Sequence, residues 1–323
     1  MIWAHHRSRT LPPDYPVPGI LLTGGTPPLR LSDVHHTMAP MDYRLITGNK
    51  EFQAYQRGLC EREVPTVAFD IEGEFNLHVY GERLCLIQLD DGEEPAVVDP
   101  LQIDSSLLKA FFEHRGVLKI MYDSLSDQAL LFKTMGARVH SIIDLKPAVD
   151  LLQYESRDLG SVLDRVLGVR IEKKAKFQRY NWTTRPLAAD AVTYALSDVA
   201  HLLKLKDHLL REVTEKGFFD AYLLKNLMLQ NKAPDGERKP RLFRSWEFRR
   251  LPAPAKKRFE RIHEIRDGYA REMDLPPDML LRKKQMFEIA AGRMDAQRLE
   301  SHKRVPREIR DKLVSAIDAL ASE

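Results

Sequence analysis

The sequence predicts an α/β fold, with a mixed sheet flanked by helices and then a small all-helical domain. Between residues 41 and 100, short apolar runs follow the order strand, turn, strand that is typical of an antiparallel meander. Between residues 107 and 210, apolar runs alternate with amphipathic helical patterns, which indicates helices packed on a sheet. From Arg241 to Leu320 the pattern is helical and is broken by prolines at three places.

Length and composition indicate a globular protein of two domains. The chain has 323 residues, of which 43% are hydrophobic and 30% are charged, and this length exceeds one typical domain. No window approaches the roughly 18 apolar residues of a membrane span, and the N-terminus lacks the apolar core of a secretory signal. Cys60 and Cys85 are the only cysteines, which argues against a disulfide framework. We expect a cytoplasmic protein without a membrane partner, and we take it to be a monomer.

The net charge of +3 hides an uneven distribution of charge along the chain. Residues 232–323 carry 23 Lys and Arg against 16 Asp and Glu, whereas residues 1–231 carry 27 against 31. A basic module often binds nucleic acid, although a surface with a few extra lysines is also common. We favour an auxiliary nucleic-acid role for the C-terminal part.

Four segments are predicted along the chain. Residues 1–40 are rich in Pro, Gly, Thr and His without a period, and we expect a disordered extension there, with a translation start at Met41 as the alternative. Residues 41–225 hold the predicted sheet. Residues 226–240 lose periodicity and contain Pro, Gly and charges, which predicts a linker. Residues 241–323 form the predicted helical domain.

The elements of the sheet domain follow one another with clear boundaries. A short strand and an amphipathic helix are predicted within Met41–Leu59. Further strands are predicted at Thr66–Glu72, Arg83–Asp91, Pro95–Pro100, Val117–Tyr122 and Val139–Asp144. Helices are predicted at Leu107–His114, Ser126–Met135, Leu145–Leu152, Leu159–Leu167 and Leu187–Lys206. Gly136 is placed to end the second of these helices.

The strand Thr66–Glu72, with the sequence TVAFDIE, ends in two acids. Alternation along a strand puts Asp70 and Glu72 on one face. Two carboxylates beside a buried strand are costly to desolvate unless a cation meets them, and a hard divalent metal is the usual cation. Taken alone, solvated acids at the end of a strand explain the pattern at least as well.

Asp127 and Asp198 are two further candidates. Asp127 lies in the first turn of the helix that follows Val117–Tyr122, where the helix dipole favours an acid, so a helix-start role is an equal alternative. Asp198 lies in the helix Leu187–Lys206, four residues after Tyr194 and on the same face. By itself this pair fits better with a tyrosine at the edge of the core and a solvated acid.

Together, these acids lie in segments that resemble a known set of motifs. The segments FDIE, YDSLSDQALL and YALSDVAHLL resemble, in order and spacing, the three motifs of the DEDD family of 3′–5′ exonucleases. Tyr194, four residues before the last acid, is the mark of the DEDDy branch of that family. The intervening segments VHSIIDLKPAVDLL, RDLGSVLDRVLGV and NWTTRPL resemble ribonuclease D. The resemblance covers residues 41–210 and implies a ribonuclease H-like fold.

A second resemblance lies in the C-terminal part. The segment FERIHEIRDGYAREMDLPPDMLLRKKQMFEIAAGRM resembles HRDC, a small helical domain that RecQ-type helicases and ribonuclease D share. The HRDC motif is degenerate, and Met294 stands where a proline is frequent in it. Because the segment follows a ribonuclease D-like half, we expect one HRDC-like unit here.

The first resemblance has three departures. Ile71 stands where the family commonly has Thr, and it points to the strand face opposite the acids. Tyr122 replaces a common His, and Tyr180-Asn181-Trp182 stands where Ser-Asp-Trp is usual. These differences concern substrate contacts rather than metal chemistry.

The resemblance implies a metal-dependent 3′–5′ exoribonuclease that releases 5′-phosphomononucleotides from structured RNAs with a free 3′ end, such as tRNA precursors. In the family pattern, Asp70, Glu72 and Asp198 hold one divalent ion, and Asp70 and Asp127 hold a second. Mg²⁺ or Mn²⁺ suits such oxygen ligands. Two ions of this kind activate a water molecule and stabilise the leaving oxygen, and Tyr194 orients that water. No nucleotide cofactor is expected.

Basic residues provide candidate substrate contacts, each with a structural alternative. A tryptophan among cations suits a single strand, but a core tryptophan beside a solvated loop explains the same pattern equally well. These candidates are Trp182 with Lys174, Lys176, Arg179 and Arg185. In the C-terminal part, phosphate contacts and solvated helix ends are again equal alternatives for Arg282, Lys283, Lys284, Lys303 and Arg304.

Three functions other than an exoribonuclease would predict different features in the sequence. A DNA exonuclease of the same family stays open, because two metals do not select the sugar and the sequence does not expose contacts to a 2′-hydroxyl group. A non-catalytic RNA-binding protein predicts the loss of at least one acid, yet all four acids are present. A helicase fragment fails because no G-x-x-x-x-G-K-[ST] motif occurs.

Overall fold

The computed structural model describes residues 42–63, 66–171, 176–232 and 240–320. The expected extension at residues 1–40 and the candidate Lys174 lie outside these ranges. Within them, the strands are β1 (Arg44–Ile46), β2 (Thr66–Phe75), β3 (Glu82–Asp90), β4 (Ala96–Val98), β5 (Leu118–Met121) and β6 (Ile142–Asp144).

The helices of the described residues fall into two groups. Those that accompany the sheet are α1 (Asn49–Glu61), α2 (Ser105–Glu113), α3 (Leu125–Met135), α4 (Lys146–Leu151), α5 (Leu159–Leu167), α6 (Ala189–Ser197), α7 (Leu202–Glu215) and α8 (Phe219–Asn231). Those that follow it are α9 (Trp246–Arg250), α10 (Ala253–Glu272), α11 (Pro277–Leu280), α12 (Lys283–Ala290) and α13 (Arg307–Ala319). None of these helices combines the length and the apolar character needed to cross a membrane.

The strands form one mixed sheet in the order β1-β4-β3-β2-β5-β6. Pairing is antiparallel between β2 and β3 and between β3 and β4. It is parallel between β1 and β4, β2 and β5, and β5 and β6. The meander of β2, β3 and β4 and the later alternation with helices confirm the mixed sheet that the sequence predicts.

Both faces of the sheet are covered, because the strand residues alternate between two hydrophobic cores. On β2, Val67, Phe69 and Ile71 join the core made by α1, α2 and α3. Ala68 joins the opposite core, to which α4, α5, α6 and α7 contribute buried apolar side chains. Asp70 and Glu72 follow Ala68 at two-residue intervals and therefore lie on the α6–α7 side of the sheet.

Sequence signals set several of the helix boundaries. Gly136 adopts a left-handed conformation (φ 63°) and its N–H closes the last turn of α3, as expected from the sequence. Asp158 caps α5 by accepting a hydrogen bond from the Ser161 N–H at 3.1 Å. Gly168 ends the same helix with φ 68°.

Most boundaries shift by one to three residues, and two elements depart further from the prediction. The predicted helix Leu187–Lys206 is two helices, α6 and α7, and Asp198 lies in the turn after α6, where its N–H donates to the Ala195 carbonyl at 3.2 Å. The sequence pattern did not mark this break because apolar side chains continue at helical spacing across it. The predicted linker 226–240 also begins too early, because α8 extends to Asn231 and Asn226 is buried. Residues 233–239 lie outside the described ranges.

The C-terminal helices have a core of their own. Phe259, Ile262, Leu280, Leu281 and Met286 are among its fully buried members, and none of its buried members comes from the sheet. We propose on this basis that residues 241–323 form a separate helical domain of the HRDC type. The observed boundaries agree with helices separated by short turns at the predicted prolines.

A loop of the sheet contacts the C-terminal helices. Tyr80, between β2 and β3, donates its hydroxyl hydrogen to Asp267 of α10 at 2.6 Å. Arg271 lies over the Tyr80 ring, 5.5 Å from its centroid, and Arg83 forms an ion pair with Asp274. The hairpin that carries Asp70 and Glu72 is thus held at its tip by α10.

Candidate active site

The β2–β3 hairpin positions the first two acids. In its register Asp70 is opposite Gln88 and Glu72 is opposite Leu86, and a bulge at Cys85 follows. Because of this extra residue, Cys85 and Leu86 both join the core on the α6–α7 side. Bulges bend a strand and are frequent beside active sites. Here the bulge lies directly opposite the end of the Asp70–Glu72 segment.

Asp127 approaches from the first turn of α3. Its helix packs closely on β2, because a Cβ atom added to Gly73 would lie only 2.6 Å from a methyl carbon of Leu130. A side chain at position 73 would displace the Leu130 side chain, so glycine suits the point where α3 crosses β2. Leu130 is buried three residues after Asp127, so this close contact holds the start of α3 near the end of the Asp70–Glu72 segment.

Asp198 and Tyr194 come from α6 and from the turn that follows it. The Tyr194 ring stacks on the buried Phe177, with ring centroids 4.7 Å apart and planes inclined by 29°. Burial, together with the charges of Asp198, Glu72 and Asp70, raises the pKa of Tyr194 to about 12. The tyrosine hydroxyl is thus close to the acids and keeps its proton at neutral pH.

The four carboxylates act on one another electrostatically. Burial raises the pKa of Asp70 well above its usual range, and the charges of Asp127, Asp198 and Glu72 raise it further. Burial, followed by the charges of Asp198 and Asp127, raises the pKa of Glu72 to about 8. Burial is also the main cause that raises the pKa of Asp127 and of Asp198 to about 7. The structure therefore brings together all four acids that the sequence singles out.

No protein cation compensates this cluster within the part of the chain that the structure describes. No lysine, arginine or histidine there is among the main causes that shift the pKa of any of the four acids. Each of the four side chains nevertheless keeps some accessible surface, so an ion can reach it. An oxygen-rich, uncompensated and accessible cluster is the donor set that Mg²⁺ and Mn²⁺ prefer.

The four acids lie close together, but their side chains do not form a complete coordination site around one position. Among the described residues, no three His, Cys, Asp or Glu side chains form a ready-made ligand set for one ion. Mutual repulsion between carboxylates favours such a separated arrangement. The chemistry of the donor set fits divalent ions.

Gln88 is a site residue that the sequence analysis missed. It is fully buried, and neither its amide nitrogen nor its amide oxygen has a hydrogen-bond partner among the described residues. Residues directly opposite in an antiparallel pair have their side chains on the same face, so Gln88 lies beside Asp70. The sequence signal was a glutamine inside the apolar run of β3, where an unpaired amide is costly.

The expected substrate contacts around Trp182 are mostly structural. Trp182 is buried in the core, its ring meeting Tyr180 edge to face at 4.8 Å. Arg185 forms a bidentate ion pair with Asp99 at 2.6 and 2.7 Å, and Lys176 pairs with Asp190. These partners explain the cations without a substrate, which favours the structural alternative. Arg179 is exposed and stays a candidate contact.

Two of the C-terminal basic candidates, Lys283 and Lys284, line a groove of about 740 Å³, whereas Arg282, Lys303 and Arg304 are not part of its lining. Trp246 is 61% exposed at this groove, and the Arg250 guanidinium lies 4.4 Å from its ring centroid. Lys283 forms an ion pair with Glu247 at 3.1 Å, and Lys284 lies 3.9 Å from Glu288. An exposed aromatic ring among cations is a platform on which a base can stack.

Comparison with known proteins places the chain in a family. A family model described as 3′–5′ exonuclease matches residues 43–214, which is more than half of the chain. The chain belongs to this family of 3′–5′ exonucleases.

Curated relatives of this chain are called Ribonuclease D. The protein from Escherichia coli K12 is 27% identical over 259 residues, which cover 77% of this chain and 66% of the relative. The protein from Sphingobium indicum is 26% identical over 255 residues, which cover 76% of this chain and 63% of the relative. The chain therefore spans less than two thirds of the length of these relatives.

Solved structures share the fold. E. coli RNase D, described as an exoribonuclease involved in structured RNA processing, superposes with a TM-score of 0.67 at 24% identity, covering 88% of this chain and 76% of that one. The catalytic core of RRP6 from Trypanosoma brucei gives a TM-score of 0.71 at 20% identity, covering 87% and 80%. These superpositions confirm the fold class that the sequence predicts.

Proposed function

We propose that this chain is a metal-dependent 3′–5′ exoribonuclease that shortens RNA from its 3′ end. The observation that carries the proposal is the cluster of Asp70, Glu72, Asp127 and Asp198, whose pKa values are raised by burial and whose charges no cation of the described residues offsets. Family membership supplies the direction of attack, and the Ribonuclease D relatives favour RNA as the substrate. Structured RNAs such as tRNA precursors are the proposed class of substrate.

Each acid has a proposed role. Asp70, Glu72 and Asp198 hold one divalent ion, and Asp70 and Asp127 hold the other. Two such ions, when bound, supply an activated water and neutralise charge on the phosphate and on the leaving oxygen. The protein contributes the fixed geometry of its strand, α3 and the α6 turn, which removes the entropic cost of assembling the ligands.

Tyr194 has a proposed role as a hydrogen-bonding partner of the attacking water. Its pKa of about 12 makes the hydroxyl a poor base at neutral pH, and stacking on Phe177 fixes the ring. Orientation of the water, rather than proton removal, is the consistent role. Tyr194→Phe keeps this stacking and should slow turnover by about tenfold to a hundredfold without abolishing it, as measured by single-turnover kinetics.

The groove beside Trp246 is proposed as an auxiliary RNA contact outside the four-carboxylate site. Its exposed ring and its cations suit a single strand, with bases stacked and phosphates paired. The cytoplasm is the proposed location, since Cys60 and Cys85 are both free thiols.

A degradation assay on matched RNA and DNA strands tests the proposed function. We expect 5′-labelled RNA with a free 3′ end to be shortened with Mg²⁺ or Mn²⁺ and to stay intact with EDTA. Degradation in EDTA contradicts the metal mechanism, and faster degradation of DNA than of RNA favours a DNA exonuclease of the same family. Binding without degradation under every metal condition favours a non-catalytic RNA-binding protein.

A further inference from the structure

Helix α8 has its polar and apolar faces reversed relative to an ordinary surface helix. The side chains that face the sheet are polar and recur at every fourth position, as Tyr222, Asn226 and Gln230. The side chains that face away are apolar and large. They are Phe219, Leu223, Leu224, Leu227 and Met228, which are 44%, 43%, 58%, 46% and 65% exposed.

The polar side of α8 is fixed by hydrogen bonds to β6. Asn226 accepts a hydrogen bond from the Asp144 N–H at 2.7 Å, and Tyr222 donates its hydroxyl hydrogen to the Asp144 carbonyl at 3.0 Å. Gln230 accepts from the Ser141 N–H at 3.0 Å. Rotation of the helix to hide its apolar side would break these bonds and leave buried backbone groups unpaired. The apolar side is therefore held outward by the fold.

A contiguous apolar side of this kind marks an interaction surface. Leu224 and Met228 lie four residues apart, as do Leu223 and Leu227, which is the ridge spacing used when two helices pack against each other. The ridge is flanked by opposite charges at its two ends. Asp220 lies in the first turn and Lys232 is the capping residue at the other end, and both are exposed.

We propose that the outward side of α8 binds α8 of a second copy of this chain, in an antiparallel arrangement about a two-fold axis. In this arrangement Leu224 of each copy meets Met228 of the other. The same pairing brings Asp220 of each copy beside Lys232 of the other, twice. Charge complementarity thus selects a second copy in antiparallel orientation, because the parallel orientation would place like charges together.

The charged ends carry no competing ion pair. Asp220 and Lys232 make no salt bridge with any other described residue, unlike Glu212 and Lys216 just before α8, which pair at 2.8 Å. The helix dipoles also run in opposite directions in an antiparallel pair, which is favourable. The sequence analysis expects a monomer, and the oligomeric state in solution distinguishes that expectation from this proposal.

Analytical ultracentrifugation of the full chain, across micromolar to submillimolar concentrations, tests the proposal. The wild type should sediment as a dimer, and Leu224→Glu should raise the dimer dissociation constant by about a hundredfold or more, because both copies lose a buried leucine. The matched control is Leu45→Glu, since Leu45 is exposed to a similar extent (56%) away from α8. Thermal melting checks that both variants fold.

A charge-swap series tests the antiparallel arrangement. Asp220→Lys and Lys232→Asp should each weaken the dimer by about three- to tenfold, as expected for exposed ion pairs. The double variant should restore the wild-type constant. A wild type that is monomeric at every concentration overturns the proposal. In that case residues 1–41 or a different protein would be the candidates that bind the apolar side of α8. A dimer that Leu224→Glu leaves intact, or a double swap that fails to restore it, also overturns it.

Discussion

Two aspartates of the sheet, the buried Asp144 and the partly accessible Asp70, differ sharply in their surroundings. The Asp144 carboxylate accepts four hydrogen bonds, from the N–H groups of Asp123, Ser124 and Lys146 and from the Ser124 hydroxyl, at 2.8–3.0 Å. Asp70 is surrounded by three other acids, and among the main causes of its pKa shift within the described residues, the Ile71 amide alone lowers the pKa. A satisfied buried carboxylate stabilises a fold, whereas an unsatisfied one is a reason to look for a ligand.

The contrast extends beyond these two residues. Arg185 and Asp99 neutralise each other, and the buried Lys119 donates to the His114 carbonyl at 2.7 Å and to the Val117 carbonyl at 3.0 Å. Polar groups away from the acid cluster are thus mostly paired. The acid cluster and its neighbour Gln88 are the exceptions on the α6–α7 side of the sheet, so the cost of burial is concentrated at the candidate site.

The largest expected effect is on turnover by Asp70→Asn. This substitution removes one charge from the cluster and keeps the shape of the side chain, so RNA degradation should fall by at least about a thousandfold. The metal-free protein should melt at the same temperature as the wild type or higher, because electrostatic repulsion is relieved. Single-turnover kinetics and thermal melting measure the two effects. Wild-type turnover by Asp70→Asn would contradict the assignment of Asp70 as a metal ligand.

The second largest effect is expected on stability, from Asp144→Ala. Removal of the carboxylate leaves buried donors unpaired, so the free energy of unfolding should fall by about 3 kcal/mol or more. Asp144→Asn keeps one acceptor oxygen and should lose less. Urea denaturation of both variants measures the difference. A fall of the same size for Asp70→Asn would remove the distinction between the two aspartates.

Stability should depend on pH through the acid cluster. The raised pKa values, about 8 for Glu72 and about 7 for Asp127 and Asp198, mean that the folded metal-free protein binds more protons than the unfolded chain between about pH 4 and pH 8. The free energy of unfolding should therefore fall as the pH rises through this window. Mn²⁺ should raise the melting temperature more at pH 8 than at pH 6, because it competes with protons.

The control for this pH effect is Asp70→Asn, in which both the pH dependence and the shift with Mn²⁺ should shrink. Differential scanning calorimetry at fixed ionic strength separates them from screening effects. A metal shift that is equal at both pH values and in the variant would show that the ions bind elsewhere.

The order of elements and the four acids could be predicted because they depend on short-range patterns. Alternation fixed the face of Asp70 and Glu72, and motif order singled out Asp127 and Asp198. The true position of Asp198, in a turn, was missed because the apolar spacing continues through it. The ion pair of Arg185 with Asp99 joins residues that are far apart in sequence, and no local sequence pattern predicts such a contact. The outward apolar side of α8 likewise depends on hydrogen bonds to β6.

The smallest expected effect comes from Gln88→Met. This substitution tests most directly the difference between the acid cluster and the paired polar groups elsewhere in the protein. The amide of Gln88 is buried without a partner beside Asp70, so methionine, similar in size and apolar, should raise the unfolding free energy of the metal-free protein by about 1 kcal/mol. In the acid cluster, the same amide can hydrogen-bond a carboxylate that has turned to bind an ion. We therefore expect the affinity for Mn²⁺ to fall at the same time.

Calorimetric titration with Mn²⁺ and urea denaturation without metal, on the same preparations, measure both quantities for Gln88→Met. The matched control is Gln128→Met, because Gln128 already donates to the Ser124 hydroxyl at 2.9 Å and should lose stability on substitution. If Gln88→Met loses stability and keeps its metal affinity, then the amide serves the fold as Gln128 does. If Gln88→Met gains stability without metal and loses affinity for Mn²⁺, then Gln88 belongs to the metal site. A polar side chain that serves a ligand lowers the stability of the metal-free protein when it is buried without a partner.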